Sequence, residues 1–185
     1  MKLYLLLLGA EAPGRNIEQH DYFFGIADHL AELVPAVKTF WPEAGNSLHI
    51  DGWREVTKVD NSSIRVELQS DEAPIALKKL FFLNLGGYTS GKLEEQHYTL
   101  LTVQENRTKA IQAAKTSVFF KTNSLKGIAT SHIDEKYGVD VDNIYQIEDL
   151  LLPVFKEKYR IVISDDTELS GDEIHLGYFK LDKIK

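Results

Sequence analysis

Residues 2–20 recur without a gap as residues 79–97, and this internal repeat constrains the fold more than any other feature of the chain. The first copy reads KLYLLLLGAEAPGRNIEQH and the second reads KLFFLNLGGYTSGKLEEQH, so nine of nineteen positions are identical. An apolar run, a glycine-containing loop and the tripeptide Glu-Gln-His occupy the same places in both copies. Because both copies should share one local fold, each ambiguous motif can be tested twice.

The second copy indicates the local structure more clearly than the first. Residues 98–103 are rich in β-branched, aromatic and leucine residues, residues 104–109 are all polar, and Asn106 suits the N-cap of a helix. A continuous helix through residues 104–109 would have no apolar side chains to bury along that segment. We therefore predict two strands followed by a helix in each copy, with the second strand of the first copy at about His20–Ala27.

The glycine-containing loop of each copy has the spacing of a phosphate-binding loop. The pattern is Gly9-x4-Gly14 in the first copy and Gly86-x4-Gly91 in the second. A phosphate loop needs a helix N-terminus aimed at the anion, whereas a second antiparallel strand is predicted here. The glycines are therefore interpreted as residues that adopt positive φ in hairpin loops, and no cofactor is indicated.

Composition and charge exclude several functional classes. The apolar run Leu3–Leu8 is interpreted as a buried strand and not as a signal sequence, because the run recurs in mid-chain at Lys79–Leu85. No segment approaches transmembrane length. The chain lacks cysteine and has a net charge of −7, with twelve acidic against six basic residues in 1–77. We therefore expect a cytoplasmic protein that binds neither membranes nor nucleic acid.

A second pair of similar segments lies further along the chain, at an offset of 83. The segment SLHID at Ser47–Asp51 matches TSHID at Thr130–Asp134. Strand-like segments follow at about 55–60, 64–69, 144–148, 159–164 and 173–181. These patterns predict an α+β fold of two tandem ββαββ units with a mainly antiparallel sheet, related by a pseudo-two-fold axis, and a C-terminal strand. The predicted units are residues 1–76 and 77–185, packed as one body.

Several segments in both halves resemble one bacterial family of uncharacterised proteins. They are Gly14-Arg15-Asn16, Glu18-Gln19-His20-Asp21, Phe23-Phe24-Gly25, Phe40-Trp41-Pro42-Glu43-Ala44, His49-Ile50-Asp51 with Trp53-Arg54-Glu55-Val56, Leu85-Gly86-Gly87-Tyr88, Ser131-His132-Ile133-Asp134 and Lys136-Tyr137-Gly138-Val139-Asp140. This family is DUF1543. The resemblance covers nearly the whole chain and implies a soluble bacterial protein with one or two copies of the unit. It implies no activity, cofactor or catalytic residue.

Four of the six histidines occupy matched places in the two halves and are the main candidates for chemistry. The candidate site residues are Glu18, His20, His49 and Asp51 in the first half, with Glu95, His97, His132 and Asp134 as their counterparts. A His-x-Asp segment on a strand puts both side chains on one face, so the carboxylate can orient the imidazole as a general base. His20, His49 and Asp51 are also weaker candidates for metal ligands, because no HExxH or His-x3-His spacing supports them.

A structural interpretation competes with both kinds of chemistry. Histidines and carboxylates near turns often satisfy buried backbone groups, and a repeated unit keeps the same turns twice. The aromatic segment Phe40-Trp41-Pro42 and Trp53 occur in the first half alone and indicate either core packing or a patch for a ligand or partner. The acidic segment 165–173 lacks the calcium-loop pattern and is interpreted as a solvated hairpin loop.

Three functions therefore stay open at the level of sequence. The favoured one is a non-catalytic module that binds a small molecule or a protein, or that assembles as a homo-oligomer. The second is a small-molecule enzyme that uses His20, His49, Asp51 and Glu18 in acid–base catalysis. The third is a metal-binding protein that uses the paired histidines. The distance between His20 and His49 separates these alternatives, because chemistry requires both to reach a common point.

Overall fold

The computed structural model describes residues 1–71, 76–88, 93–116, 139–167 and 170–184. The protein has an α+β fold with antiparallel sheets and few helices, which confirms the predicted class. It divides into two compact units, one formed by Met1–Ile75 with Leu150–Lys185 and the other by Ala76–Asp149. Among the described residues, no helix combines the length and the apolar character needed to cross a bilayer.

The first unit is built on a four-stranded antiparallel sheet with the order β10-β3-β1-β2. The repeat supplies the central strand, whose side chains Leu6 and Leu8 are fully buried. The glycine-containing loop after this strand leads to a second antiparallel strand, and Gly14 in that loop has a φ of +75°. The strands are β1 (Lys2–Ala10), β2 (Gln19–Ala27), β3 (His49–Glu55) and β10 (His175–Lys180).

One face of this sheet is covered by a helical segment. It comprises a 3₁₀ turn at Leu30–Leu33, helix α1 at Val34–Phe40 with Pro35 in its first turn, and a 3₁₀ segment at Pro42–Ser47. The Phe40 ring meets Phe23 of β2 edge-on at a centroid distance of 5.4 Å. Residues opposite each other in antiparallel strands share a face, so Phe23 and its partner Leu6 project toward α1.

A second sheet of the first unit joins strands from distant parts of the chain. It has the order β4-β5-β9 and comprises β4 (Lys58–Val59), β5 (Ser62–Leu68) and β9 (Tyr159–Asp165). Helix α4 (Pro153–Lys156) precedes β9. Through β9 and β10 the segment Leu150–Lys185 groups with residues 1–75, whereas the sequence analysis placed it with the second unit. The repeat fixes the order of strands along the chain and not the partner of each strand.

Asp172 departs from the solvated loop predicted for the acidic segment. Its side chain is only 2 % exposed, and its Oδ1 accepts hydrogen bonds from the Thr57 backbone N–H at 3.0 Å and the Thr57 hydroxyl at 2.6 Å. The backbone N–H of Lys58 donates to the same oxygen at 3.2 Å. The Asp172 carboxylate thus accepts hydrogen bonds from the chain where β3 connects to β4. The acidic residues around Asp172 in the sequence do not indicate this tertiary contact.

The second unit repeats the first hairpin and adds a helix and a third strand. Its sheet has the order β7-β6-β8, and the side chain of Asn106 caps the helix by accepting a 3.0 Å hydrogen bond from the Lys109 N–H, as predicted. Phe81, Leu83 and Leu85 pack against the helix and form the core. The elements are β6 (Lys79–Tyr88), β7 (Glu95–Gln104), α2 (Arg107–Ala114), β8 (Val139–Gln146) and α3 (Ile147–Leu150).

The strand registers of the two units correspond. Lys2 pairs with Ala27 and Lys79 with Gln104, an offset of 77 that holds along both hairpins. The pairing of the third strand is irregular after Leu7 in the first unit and after Asn84 in the second, again 77 residues apart. The strands predicted from about residues 55 and 144 begin earlier, at His49 in the first unit and at Val139 in the second.

Candidate metal centre

The four candidate residues of the first unit lie together on the sheet face opposite α1. Gly9, near the end of β1, pairs with His20 on one side and with His49 on the other. Both imidazoles therefore project from the face that Gly9 shares. Asp51 lies at the irregularity in the β1–β3 pairing, and Glu18 immediately precedes β2.

Nitrogen and carboxylate oxygen atoms of these residues converge closely. His20 Nε2 is 3.1 Å from Asp51 Oδ2 and 3.7 Å from Glu18 Oε2. His49 Nε2 is 3.1 Å from Glu18 Oε1 and 3.1 Å from Asp51 Oδ1. Ligand atoms bonded to one tetrahedral zinc ion at ~2.0–2.2 Å lie roughly 3.3–3.6 Å apart. The nitrogen–oxygen separations are close to that spacing, and Glu18, His20 and Asp51 each bring one ligand atom to within 4.8 Å of the others. His49 faces the other oxygen of each carboxylate.

His49 is the most constrained member of the cluster. Its side chain is 3 % exposed, and the Tyr178 ring of β10 lies 4.2 Å from the imidazole. The Ser47 carbonyl accepts a 2.7 Å hydrogen bond from His49 Nδ1–H. This bond requires a proton on Nδ1 and directs Nε2 into the cluster.

The Nε2 atom of His49 is buried and makes no hydrogen bond with any described residue. The two carboxylate oxygens at 3.1 Å are close enough in distance, but they do not have hydrogen-bond geometry. A lone pair facing two anionic carboxylates in a buried position is unfavourable unless a cation lies between them. A positive charge between Nε2 and the two carboxylates, carried by a proton or by a metal ion, would satisfy this arrangement.

Gly9 supplies the space that the cluster occupies. A Cβ atom at this position would lie 2.5 Å from Asp51 Oδ2 and 2.6 Å from His49 Nε2. Any other residue would displace both side chains from their present positions. Glu18 and His20, with side chains 40 % and 46 % exposed, leave the opposite side of the cluster open to solvent.

A similar cluster occurs in the second unit, with one change of residue. Glu95, His97 and Asp142 bring one potential ligand atom each to within 4.8 Å of one another, as Glu18, His20 and Asp51 do. His97 Nε2 is 3.6 Å from Glu95 Oε2, and His97 Nδ1 is 3.4 Å from Asp142 Oδ2.

The sequence-predicted counterparts of His49 and Asp51 were His132 and Asp134, and both lie outside the described residues. In the pairing of β6 with β8, the place of His49 opposite Gly9 is taken by Asp140 opposite Gly86. Asp142, in the place of Asp51, was missed by the sequence analysis. A weaker sequence signal could have identified Asp142. The alternating segment Asp140-Val141-Asp142 corresponds to His49-Ile50-Asp51 at an offset of 91.

The remaining histidines and the aromatic residues of the first half lie outside the cluster. His175 stacks on Trp53 with a centroid distance of 3.9 Å, and His29 is an exposed residue at the start of the 3₁₀ turn. Trp53 also lies 6.1 Å from the Tyr4 ring, and Phe40 packs on Phe23. These contacts fit the interpretation of the aromatic residues as packing elements.

Comparison with known proteins finds one family model that matches part of the first unit. Residues 15–66 match the family model described as Domain of Unknown Function (DUF1543). The resemblance predicted from the sequence is thus confirmed over the β2–β5 part of the first unit. The DUF1543 match includes Glu18, His20, His49 and Asp51, so all four cluster residues lie within it.

One solved structure extends the likeness to the whole fold. The crystal structure of a protein Il1583 from Idiomarina loihiensis is similar with a TM-score of 0.65 and 23 % sequence identity, covering 97 % of each chain. At this identity the likeness concerns the fold alone. No curated protein matches the sequence.

Proposed function

We propose that the protein binds a divalent transition-metal ion in its first unit through Glu18, His20, His49 and Asp51. The observation that supports this function best is the Nε2 atom of His49, which is buried, makes no hydrogen bond with a described residue and lies 3.1 Å from two carboxylate oxygens. A metal ion at this point would bind the nitrogen lone pair and neutralise the carboxylates together.

The ligand set favours a borderline first-row metal. Two imidazoles suit Zn²⁺, Fe²⁺ and Ni²⁺, and the carboxylates add negative charge without the thiolates that would select softer ions. Four protein ligands fill a tetrahedral shell, so a coordinated water or substrate would need a five- or six-coordinate ion. The exposure of Glu18 and His20 would give solvent access to such an ion. A metal ion bound there would lower the pKa of a coordinated water and so supply a nucleophile for hydrolysis.

Metal analysis of protein purified without an affinity tag tests this proposal. The chain is stripped with a chelator, titrated with Zn²⁺ by calorimetry and analysed for bound metal after gel filtration. We expect about one tightly bound equivalent in the wild type and its loss in Asp51→Asn. The His29→Gln variant, which removes an exposed histidine outside the cluster, serves as the matched control and should bind as the wild type does.

Two results would contradict a metal-binding function. One is retention of less than about 0.1 equivalent after exposure to every first-row divalent metal. The other is equal loss of binding in His29→Gln and Asp51→Asn, which would indicate non-specific attraction to an acidic surface. Binding should also weaken as the pH falls, because protons compete with the metal for the imidazole nitrogens.

A non-catalytic binding or assembly module is the competing function. The apolar side chains Leu176 and Tyr178 of β10 are 76 % and 62 % exposed, and Tyr178 lies beside His49. Such exposed groups often mark a ligand or protein interface. A chain without metal affinity that self-associates at micromolar concentration would support this alternative. An acid–base enzyme without metal is a third candidate, with His20 and Asp51 at 3.1 Å as its pair.

We further propose that the two units are duplicated copies of one ββαββ element. Support comes from the repeat at an offset of 77 and from strand registers that follow the same offset. A cytoplasmic bacterial protein fits the lack of cysteine, because a reducing compartment makes no use of disulfides. The proposals of duplication and of a cytoplasmic location are independent of whether the first unit binds a metal ion.

A further inference from the structure

We propose that the second unit contains a second cation site, formed by Glu95, His97, Asp142 and the amide oxygen of Asn84. Its ligands are harder donors than those of the first site, and its affinity for a metal ion is lower. It therefore takes an ion that prefers oxygen ligands, such as Mn²⁺. The inference goes beyond the proposed function, since it concerns other residues in the other unit, and it can stand or fail without the first site.

The first support is the correspondence of position. Glu95 and His97 follow Glu18 and His20 at the offset of 77, and Asp142 takes the place of Asp51 in the irregular pairing of the third strand. Gly86 corresponds to Gly9, and a Cβ atom there would collide with the carboxylate of Asp142. Each unit therefore has a glycine next to its aspartate carboxylate, Gly9 beside Asp51 and Gly86 beside Asp142.

The second support is a polar side chain where the first unit has an apolar one. Asn84 stands 77 residues after Leu7, next to the irregularity of the pairing. Its amide nitrogen is 3.2 Å from His97 Nδ1 and 3.5 Å from both Asp142 Oδ2 and Asn143 Oδ1, so the amide group lies against the cluster. Rotation about χ2 exchanges the amide nitrogen and oxygen, and a cation favours the orientation with the oxygen inward.

The change in ligand chemistry predicts the change in preference. The first cluster offers two imidazole nitrogens, one of them buried, and two carboxylates, whereas the second offers one imidazole, two carboxylates and one amide oxygen. Carboxylate and amide oxygens suit Mn²⁺, Mg²⁺ and Ca²⁺, and imidazole suits Zn²⁺. The side chains of Glu95, His97 and Asp142 are 31–50 % exposed, so water competes with the ion more strongly here than at His49.

The test is a Mn²⁺ titration of the metal-free full-length chain, with free Mn²⁺ measured by electron paramagnetic resonance. We expect two classes of bound Mn²⁺ in the wild type, and loss of the weaker class in Asp142→Asn. Asn84→Leu, which copies the residue of the first unit, should weaken that class by about 10-fold or more. Zn²⁺ added at one equivalent should occupy the first site and leave the weaker Mn²⁺ class in place.

Matched variants separate this inference from the proposed function. Gly9→Ala should remove only the tighter class, and Glu105→Gln, which removes an exposed carboxylate outside both clusters, should leave both classes unchanged. Loss of binding in Asp142→Asn with no effect of Gly9→Ala would overturn the first site and keep the second. A single class that Asp142→Asn and Asn84→Leu leave unchanged, or equal losses in Asp142→Asn and Glu105→Gln, would overturn the second.

Discussion

Gly9 determines at the scale of one residue whether the first cluster can form. The added methyl of Gly9→Ala would lie 2.5 Å from Asp51 Oδ2 and 2.6 Å from His49 Nε2, both at the ends of side chains. The half-buried Asp51 carboxylate can rotate away, whereas the buried His49 ring must shift within its packing. We therefore expect a folded protein whose Zn²⁺ affinity falls by at least about 10-fold, as displaced metal ligands typically cause. Calorimetry measures the affinity, and circular dichroism checks the fold.

The matched control for this substitution is Gly171→Ala. An added Cβ at Gly171 meets no atom within 4 Å, so this variant should bind metal as the wild type does. Unchanged affinity in Gly9→Ala would show that the ligands do not use the positions seen around Gly9. A fall in both variants would point to a general effect of losing glycine.

Glu148 gives a pH-dependent prediction in the second unit. Burial raises the pKa of its carboxyl above the usual range, against a weaker opposing effect of hydrogen bonds from its own backbone and from Gln146. Oε2 is buried without a hydrogen-bond partner among the described residues. A raised pKa in the folded state means that this group stabilises the fold below its unfolded pKa, and that the contribution is lost as the pH rises through the folded pKa.

The variant Glu148→Gln should therefore be more stable than the wild type at pH 7. The gain should shrink on acidification and vanish below about pH 4, where the wild-type carboxyl is protonated in both states. Urea unfolding at pH 7 and at low pH measures this difference. The exposed Glu105→Gln should change little at either pH. Equal gains for Glu148→Gln at both pH values would contradict the electrostatic cause.

At the scale of elements, the helix cap of the second unit is the most direct prediction. The Asn106 side chain accepts a 3.0 Å hydrogen bond from the Lys109 N–H at the start of α2. Asn106→Ala should destabilise the unit by about 1 kcal/mol, because an N–H at the helix start loses its acceptor. Asn106→Asp keeps an acceptor and should retain most of the stability. Chemical denaturation followed by far-UV circular dichroism measures both, and equal losses would argue against capping.

Elements with a local signal could be predicted from the sequence. The hairpin β1–β2, the start of α2 at Asn106 and the strands β9 and β10 have alternating patterns, caps or turns that lie within a few residues of each element. The third strand of each unit could not be located in the same way. The His49 segment was matched to Thr130–Asp134 by four similar residues, but strand pairing assigns Val139–Gln146 to that place.

The same distinction explains the candidate site. His20, His49 and Asp51 could be proposed because they recur in sequence, and Glu18 because it is part of the repeat. Asp142 and Asn84 could not, since each differs in type or offset from its counterpart and becomes adjacent only through the β6–β8 pairing. Sequence periodicity reports which face a side chain occupies, while cross-strand neighbours depend on register.

At the scale of the whole molecule, tryptophan fluorescence can follow metal binding in the first unit separately from the second. Trp41 and Trp53, the only tryptophans of the chain, both belong to the first unit, which also contains the Glu18–His20–His49–Asp51 cluster. Each unit has its own buried residues, so a single two-state transition should not be assumed. Tryptophan fluorescence reports the unit with the proposed metal centre, whichever way the other unit unfolds.

A ligand that binds the folded state and not the unfolded state stabilises the folded state by mass action. At free Zn²⁺ of 100 times the dissociation constant the gain is about 2.7 kcal/mol, so the thermal midpoint followed by tryptophan fluorescence should rise by several degrees. The rise should be absent in Gly9→Ala and smaller at lower pH, because protonated imidazoles cannot bind the ion. An equal rise in Gly9→Ala would place the stabilising ion elsewhere in the chain, and no rise in the wild type would exclude a tight site at His49.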